Sequence, residues 1–306
     1  MFSRDGTSLS SSRRKGRKNL FSDVSEMALL CHIPYWQHQR KFTMGTSQIQ
    51  GRLWGARAAD WAEANEPAWE PLFRSALDCL GVRPSARLLD IGCGAGGTLI
   101  IAHACGAQIY GLDAAENLVA IARRRLPEAT IEIGEMEDLP FEDDMFDIVC
   151  GINSFQFAGN VARALSEAGR VCRPGGTVGM LVWGQRKDCD IVNAVMPAVF
   201  ALLPPAPAGS APPMQFADRA VVEELMQQAG LVPFKLHELA AALIFPNSAT
   251  AVRAIMSAAA RAIHHAGEDD VREAIAGRLG PFTRDDGSVV LNNRFLLTLA
   301  TPFRSH

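Results

Sequence analysis

The 306-residue chain has no apolar run approaching the roughly 18 uncharged residues of a membrane span. Nothing in it predicts a membrane-crossing helix. Its seven cysteines, at 31, 79, 93, 105, 150, 172 and 189, form no C-x-x-C pair and no close cluster with histidine. That spacing argues against a structural zinc site, and several of the cysteines lie in apolar patterns where the thiol acts as a small hydrophobe. Reduced thiols, a cytoplasmic setting and no metal are therefore expected. There is no internal repeat. Acidic residues outnumber basic ones beyond the first 43 residues: eight Lys/Arg in that first stretch face three Asp/Glu, a net of +5, which leaves −8 on the rest of a chain whose total is −3. An acidic body lacks the clustered Lys/Arg that phosphates require, so no nucleic-acid partner is expected.

What the chain does have is a concentration of glycine. Arg87-Leu88-Leu89-Asp90-Ile91 is an apolar run that reaches a carboxylate and then breaks into Gly92-Cys93-Gly94-Ala95-Gly96-Gly97, four glycines in six residues. Helical spacing resumes from Leu99 to Ala104. This is a buried strand, a tight turn and a helix start, the arrangement that places a nucleotide pocket at the carboxyl edge of a parallel sheet. Two patterns fit at once. Gly92, Gly94 and Gly97 satisfy the dinucleotide spacing, with Asp113 about 20 residues on as the ribose acid. Gly92, Gly94 and Gly96 satisfy G-x-G-x-G. Asp90 bears on the choice, because a carboxylate two residues before the loop repels a pyrophosphate and attracts a ligand with a cationic amino-acid end.

Read in order, residues 1–43 form a basic, Ser-rich extension expected to be disordered or weakly ordered, with a short helix at 23–31. An organelle transit peptide and an upstream start added to a core beginning near Met44 are alternatives for this tract. Residues 51–80 predict two helices separated near Pro67 and stopped by Gly81, carrying Trp54, Trp61 and Trp69 at helical steps. These aromatics serve either as core or as a lid over the pocket. Residues 108–113 form a second strand tipped by Asp113, which either accepts from a ribose diol or caps the following helix at 117–125. Further strands are expected at 130–134 and 145–151, a helix at 161–172 and a strand at 177–183. Beyond these lie helices at 191–203 and 216–229, a strand at 232–245, helices at 249–266 and 268–279, and closing strands at 287–291 and 295–299. His264-His265 lack a partner at metal-ligand spacing, so a surface position is expected.

Three stretches together resemble the class I S-adenosylmethionine (SAM)-dependent methyltransferases, specifically the ubiquinone/menaquinone-biosynthesis type (methyltransferase type 11). The first is D-x-G-x-G-x-G at Asp90–Gly96. The second is Gly134-Glu135-Met136-Glu137-Asp138-Leu139-Pro140-Phe141, followed by Phe146-Asp147-Ile148-Val149. The third is L-x-E-x-x-R-V-C-R-P-G-G, ending at Gly176. The resemblance covers roughly residues 86–184. It implies an α/β fold, a Rossmann-like, doubly wound and mostly parallel seven-stranded sheet, with a helical insertion near the C-terminus. It also implies SAM as cofactor, held by Asp90, Gly92, Gly94, Gly96, Asp113, Glu135, Met136 and Asn153. The Glu135 carboxylate would accept from the adenine amino group and the Met136 amide would meet a ring nitrogen. Here Glu135 stands for the commoner Asp and Met136 for Ala. Asn153 would contact the methionine end, or else be a polar turn residue.

The family reading divides residues 44–306 into a helical lid at 51–80, a cofactor core at 86–184 and an acceptor side at 185–306, with the insertion as acceptor-pocket wall. A small-molecule acceptor is expected, since the (Asp/Asn)-Pro-Pro-(Tyr/Phe) of enzymes that methylate exocyclic base amines is missing after the fourth strand. His32, His38, His237, Asp188 and Asp190 are candidate bases by type, and no spacing singles one out. Two rivals stay open: a nicotinamide-dependent oxidoreductase using Gly92, Gly94 and Gly97, and a SAM-binding protein without turnover. Nothing in the sequence fixes an oligomeric state.

Overall fold

In the computed structural model, residues 45–205 and 214–303 are described. The expectations for the basic extension, the helix at 23–31, His32 and His38 lie outside them. The described chain opens with helix α1 (Ser47–Gly55), a single turn at Ala58–Asp60 and a π-turn at Trp61–Asn65, which runs directly into helix α2 (Glu66–Leu80). The break expected near Pro67 therefore falls earlier. Pro67 lies in the first turn of α2, where its missing N–H is no loss. Gly81, in the left-handed conformation, caps the other end as the sequence predicts.

The sheet follows. β1 (Arg87–Ile91), β2 (Gln108–Asp113), β3 (Thr130–Ile133), β4 (Phe146–Ile152) and β5 (Cys172–Trp183) are all parallel, and β6 (Leu231–Phe245) and β7 (Val289–Pro302) add an antiparallel pair. The order across the seven strands is β3-β2-β1-β4-β5-β7-β6. Leu88 joins the apolar layer on one face while Leu89 and Ile91 join the layer on the other. A strand buried on both faces has no polar side, which is why β1 reads as a continuous apolar run. The strand order reverses between β1 and β4, and a doubly wound sheet leaves a crevice at that switch point.

Four elements differ from expectation. The helix expected at 249–266 is two, Ser248–Ser257 and Ala260–Ala266. The two closing strands are one continuous strand, β7, because the polar Asn292 and Asn293 between them belong to the ladder with β6. The helix expected at 191–203 is a π-turn and a short helix, Ile191–Val195 and Met196–Phe200. The Arg173-Pro174-Gly175-Gly176 stretch lies within β5 as an irregularity between its pairings with Phe146 and Ile148. The helices between β6 and β7, including Glu268–Leu279, form the expected insertion.

Candidate active site

The cleft at the switch point begins with β1, whose last turns deliver Asp90 and the glycine loop. Gly92 has φ 78°, and a Cβ there would lie 2.4 Å from the Ser154 Cβ, so the loop can pass β4 only without a side chain. Gly94, at φ 56°, faces the cleft, with its absent Cβ 3.2 Å from the Trp61 indole nitrogen. Gly96 is different. It faces Ala122 and Leu126 and does not line the cleft, so its role is packing rather than contact with a ligand. After Gly96 the chain enters the helix Gly97–Ala104.

Three carboxylates converge on this loop. Asp90 is 1% exposed; burial raises its pKa to about 7, assisted by Asp113, against hydrogen bonds from the Thr98 hydroxyl and the Cys150 thiol. Asp113, at the tip of β2, accepts from the Gly94 N–H at 2.8 Å and the Ala115 N–H at 2.7 Å. Burial raises its pKa too, opposed by the backbone donors of Ala115, Gly94 and Ala114. The helix N-cap role weighed for Asp113 is not what is seen, since the N-cap is Ala115 with no side-chain cap; Asp113 instead holds the Ala115 amide ahead of the helix, and its carboxylate borders the cleft. The third acid is Glu66, in the first turn of α2 and 6% exposed. Its Oε1 accepts from the amides of Ala95 (3.1 Å) and Gly97 (3.3 Å) and from the Trp61 indole (3.3 Å), while Oε2 accepts from Arg125 at 2.6 Å. Burial raises its pKa in spite of Arg125. Sequence reasoning passes over Glu66, since a Glu before Pro in a first helical turn looks like a local dipole partner. Its reach to another helix 31 residues on leaves no local signal.

The opposite wall is aromatic. Trp54, Trp61, Trp69, Phe73 and Phe157 line it, which puts the lid aromatics at the cleft. Trp54 stands edge-on to Trp61 and to Phe157, each with ring centroids 5.2 Å apart. The space between the walls is about 790 Å³ including its open mouth. Asn153 also lines it, at φ 58° and with its side-chain oxygen held by the Gln156 amide at 2.6 Å. A non-glycine residue in that region is strained, a feature that concentrates at functional sites.

Met136 lines both this cleft and a smaller cavity beside it. Glu135 lines only the smaller cavity, with its carboxylate accepting from the Ser47 and Glu137 amides at 2.9 and 3.3 Å. Glu135 thus anchors the start of α1; it shares the smaller cavity with Asp113 but does not reach the cleft that holds Asp90. No residue of 185–306 is among the described residues lining the cleft. The insertion instead braces the lid: Asn65 donates to Ser257 at 3.3 Å, and Arg253 pairs with Asp60 and Glu63. His237, Asp188 and Asp190 do not line the cleft, and Asp190 accepts from the Asn292 amide. Among the described residues no group of three His, Cys, Asp or Glu could hold a metal ion.

Residues 89–180 match the family described as a methyltransferase domain. That match covers the sheet core from β1 to β5, where this chain is similar to the family. A Streptomyces fradiae 37.1 kDa protein of transposon TN4556 is 40% identical over 110 residues, covering 34% of this chain and 32% of that protein. A Methylococcus capsulatus malonyl-[acyl-carrier protein] O-methyltransferase is 35% identical over 107 residues, covering 33% and 39%. Among solved structures, a Haloferax volcanii protein in complex with the Trm112 methyltransferase activator is similar in fold. Its TM-score is 0.54 and its identity 23%, over 85% of this chain and 99% of that one. The chain spans from about a third to somewhat over half of the curated relatives it matches, 32% to 57%. The cofactor of the methyltransferase domain is SAM. The residues present fit it, because a bare glycine at 94 leaves room beside Trp61 and buried carboxylates border the same space.

Proposed function

We propose that the protein transfers a methyl group from SAM to a small-molecule acceptor. The observation that carries this reading is the occupation of the glycine loop by the protein's own acids. The amides of Gly94, Ala95 and Gly97, which would meet a pyrophosphate in a dinucleotide site, already donate to Asp113 and Glu66. A dinucleotide would have to displace two buried carboxylates and sit beside a third. A sulfonium nucleoside with an ammonium end meets complementary charge instead. This favours SAM over the nicotinamide alternative that the spacing of Gly92, Gly94 and Gly97 left open.

Bound SAM supplies a methyl group made electrophilic by its sulfonium. The chain's own work is positioning. In this reading Asp113 accepts from a ribose diol and Asp90 faces the cationic amino-acid end, with Met136 and Asn153 among the residues bordering the cofactor. Trp54, Trp61 and Phe157 exclude water from the opposite side. Holding an acceptor at near-attack distance can supply ~7–11 kcal/mol of the barrier, so no catalytic side chain is required for an acceptor that already carries a free lone pair. The test is incubation of the protein with methyl-labelled SAM and a low-molecular-weight metabolite extract. Label is expected in a small organic product together with S-adenosylhomocysteine (SAH). Binding of SAM with no labelled product would mark a non-catalytic SAM-binding protein.

A further inference from the structure

Resting on the SAM reading, one carboxylate of the cleft can be given a role of its own. Asp113 at the tip of β2 suits the ribose of a dinucleotide as well as that of SAM, and Gly92, Gly94 and Gly97 fit the dinucleotide spacing. Glu66 is a different case. It comes from α2, outside the strand, loop and helix of that pattern, and lines the cleft beside Trp61, Gly94 and Gly97.

The groups around Glu66 make up a seat for an anion. Its Oε1 accepts from the Ala95 amide, the Gly97 amide and the Trp61 indole, and its Oε2 from the Arg125 guanidinium. All four are N–H donors, which is what the acceptor-only oxygens of an ionised carboxylate require. Two backbone amides at the start of the helix Gly97–Ala104, joined by an arginine, are the set that receives a phosphate when no side chain fills the space. The bare Gly97 belongs to the same fit. A Cβ there would lie 3.2 Å from the Glu66 Cδ and 2.9 Å from the Phe73 ring, both on α2. The third glycine of the dinucleotide pattern thus makes room for the protein's own carboxylate.

We propose that Glu66 is a specificity-determining residue of the cofactor site. Its carboxylate fills the anion seat at the glycine loop, sets that loop against Trp61 for a sulfonium nucleoside, and bars a pyrophosphate from the same amides. Arg125 holds the carboxylate and also donates to the Ala95 and Ala62 carbonyls, so one ion pair fixes both loop and lid. With the carboxylate removed, four donors would face a space the size of a small anion.

Calorimetry on the full chain tests this, with SAH and inorganic pyrophosphate as probes of the wild type, Glu66→Ala and Glu66→Gln. Glu66→Ala is expected to bind SAH roughly tenfold or more weakly than the wild type, as loss of a charge-assisted contact gives. Acetate, entering the vacated seat, is expected to restore SAH affinity, and uncharged acetamide is not. The same variant is expected to gain saturable pyrophosphate binding that the wild type lacks. Glu66→Gln keeps the shape without the charge, so weaker SAH binding is expected of it too, and it decides the matter if the alanine variant does not fold. Wild-type SAH affinity in either variant would overturn the role of Glu66 and leave the methyltransferase reading intact. So would a folded Glu66→Ala that ignores acetate or binds no pyrophosphate. Failure of SAH to bind the wild type would overturn the cofactor reading, and the pyrophosphate result would still decide whether Glu66 fills an anion seat.

Discussion

Asp90 and Asp113 stand at the ends of adjacent parallel strands, and each does more than border a ligand. Asp113 holds the Gly94 and Ala115 amides, so Asp113→Ala removes both a ribose acceptor and two loop restraints. Loss of a charge-assisted hydrogen bond of about 1.5–3 kcal/mol corresponds to roughly 10- to 100-fold weaker SAH binding by calorimetry. Unchanged affinity in a folded variant would remove Asp113 from the cofactor site. Asp90 yields a pH prediction. Its folded pKa is raised to about 7, whereas in the unfolded chain it ionises near 3.9. The stability it contributes to the ligand-free fold is complete below about pH 4 and is lost as pH rises toward about 7. Asp90→Asn, neutral at every pH, should therefore gain on the wild type between about pH 5 and about pH 8 in urea unfolding. A stability difference that does not change with pH would contradict the buried, protonated Asp90. Asp90 is legible in the sequence because an apolar strand, a carboxylate and the glycine loop follow one another, and Asp113 because it tips a second strand about 20 residues after that loop. Glu66 is not, since all its partners but Trp61 lie 29 to 59 residues away.

At the level of elements, the lid is fastened at both ends. Glu135 takes the first amide of α1, and the Glu66–Arg125 pair, with Arg125 also donating to the Ala62 and Ala95 carbonyls, ties the π-turn to the glycine loop. A π-turn in the middle of a helical segment commonly marks a functional position. From behind, the helix Ser248–Ser257 packs on that turn, and its buried Ser257 hydroxyl lies 3.3 Å from the Asn65 amide. Ser257→Ala leaves a buried amide donor unpaired, with an expected cost of about 1–3 kcal/mol in unfolding free energy. Faster hydrogen exchange at Trp61–Asn65 should accompany it. Wild-type exchange there would show that the insertion does not support the lid. The break after Ser257 is hidden in the sequence, because Ala258-Ala259-Ala260 carries neither glycine nor proline and continues a helical pattern. The continuity of β7 is hidden for the opposite reason. Asn293 looks like a loop residue, yet its side chain is buried and bonds to the Leu291 carbonyl and the Ile191 amide.

At the scale of the molecule, the parallel strands and the glycine loop are legible from strand-and-glycine punctuation, the doubly wound sheet is what the family resemblance implies, and the strand order comes from the structure. The acceptor wall was not. Helices inserted between β6 and β7 are amphipathic, and the sequence alone does not distinguish a face that lines a cleft from one that packs behind a lid. Among the described residues the aromatics of residues 54–73 line the cleft, and the insertion packs behind them. With the glycine loop's amides already answered by Asp113 and Glu66, the molecule as a whole is built to refuse a pyrophosphate and to receive a sulfonium nucleoside. Side-by-side calorimetry with SAH and NAD on the full chain is the most direct test. The account predicts saturable binding of SAH and none of NAD, and tight NAD binding with no response to SAH would contradict it.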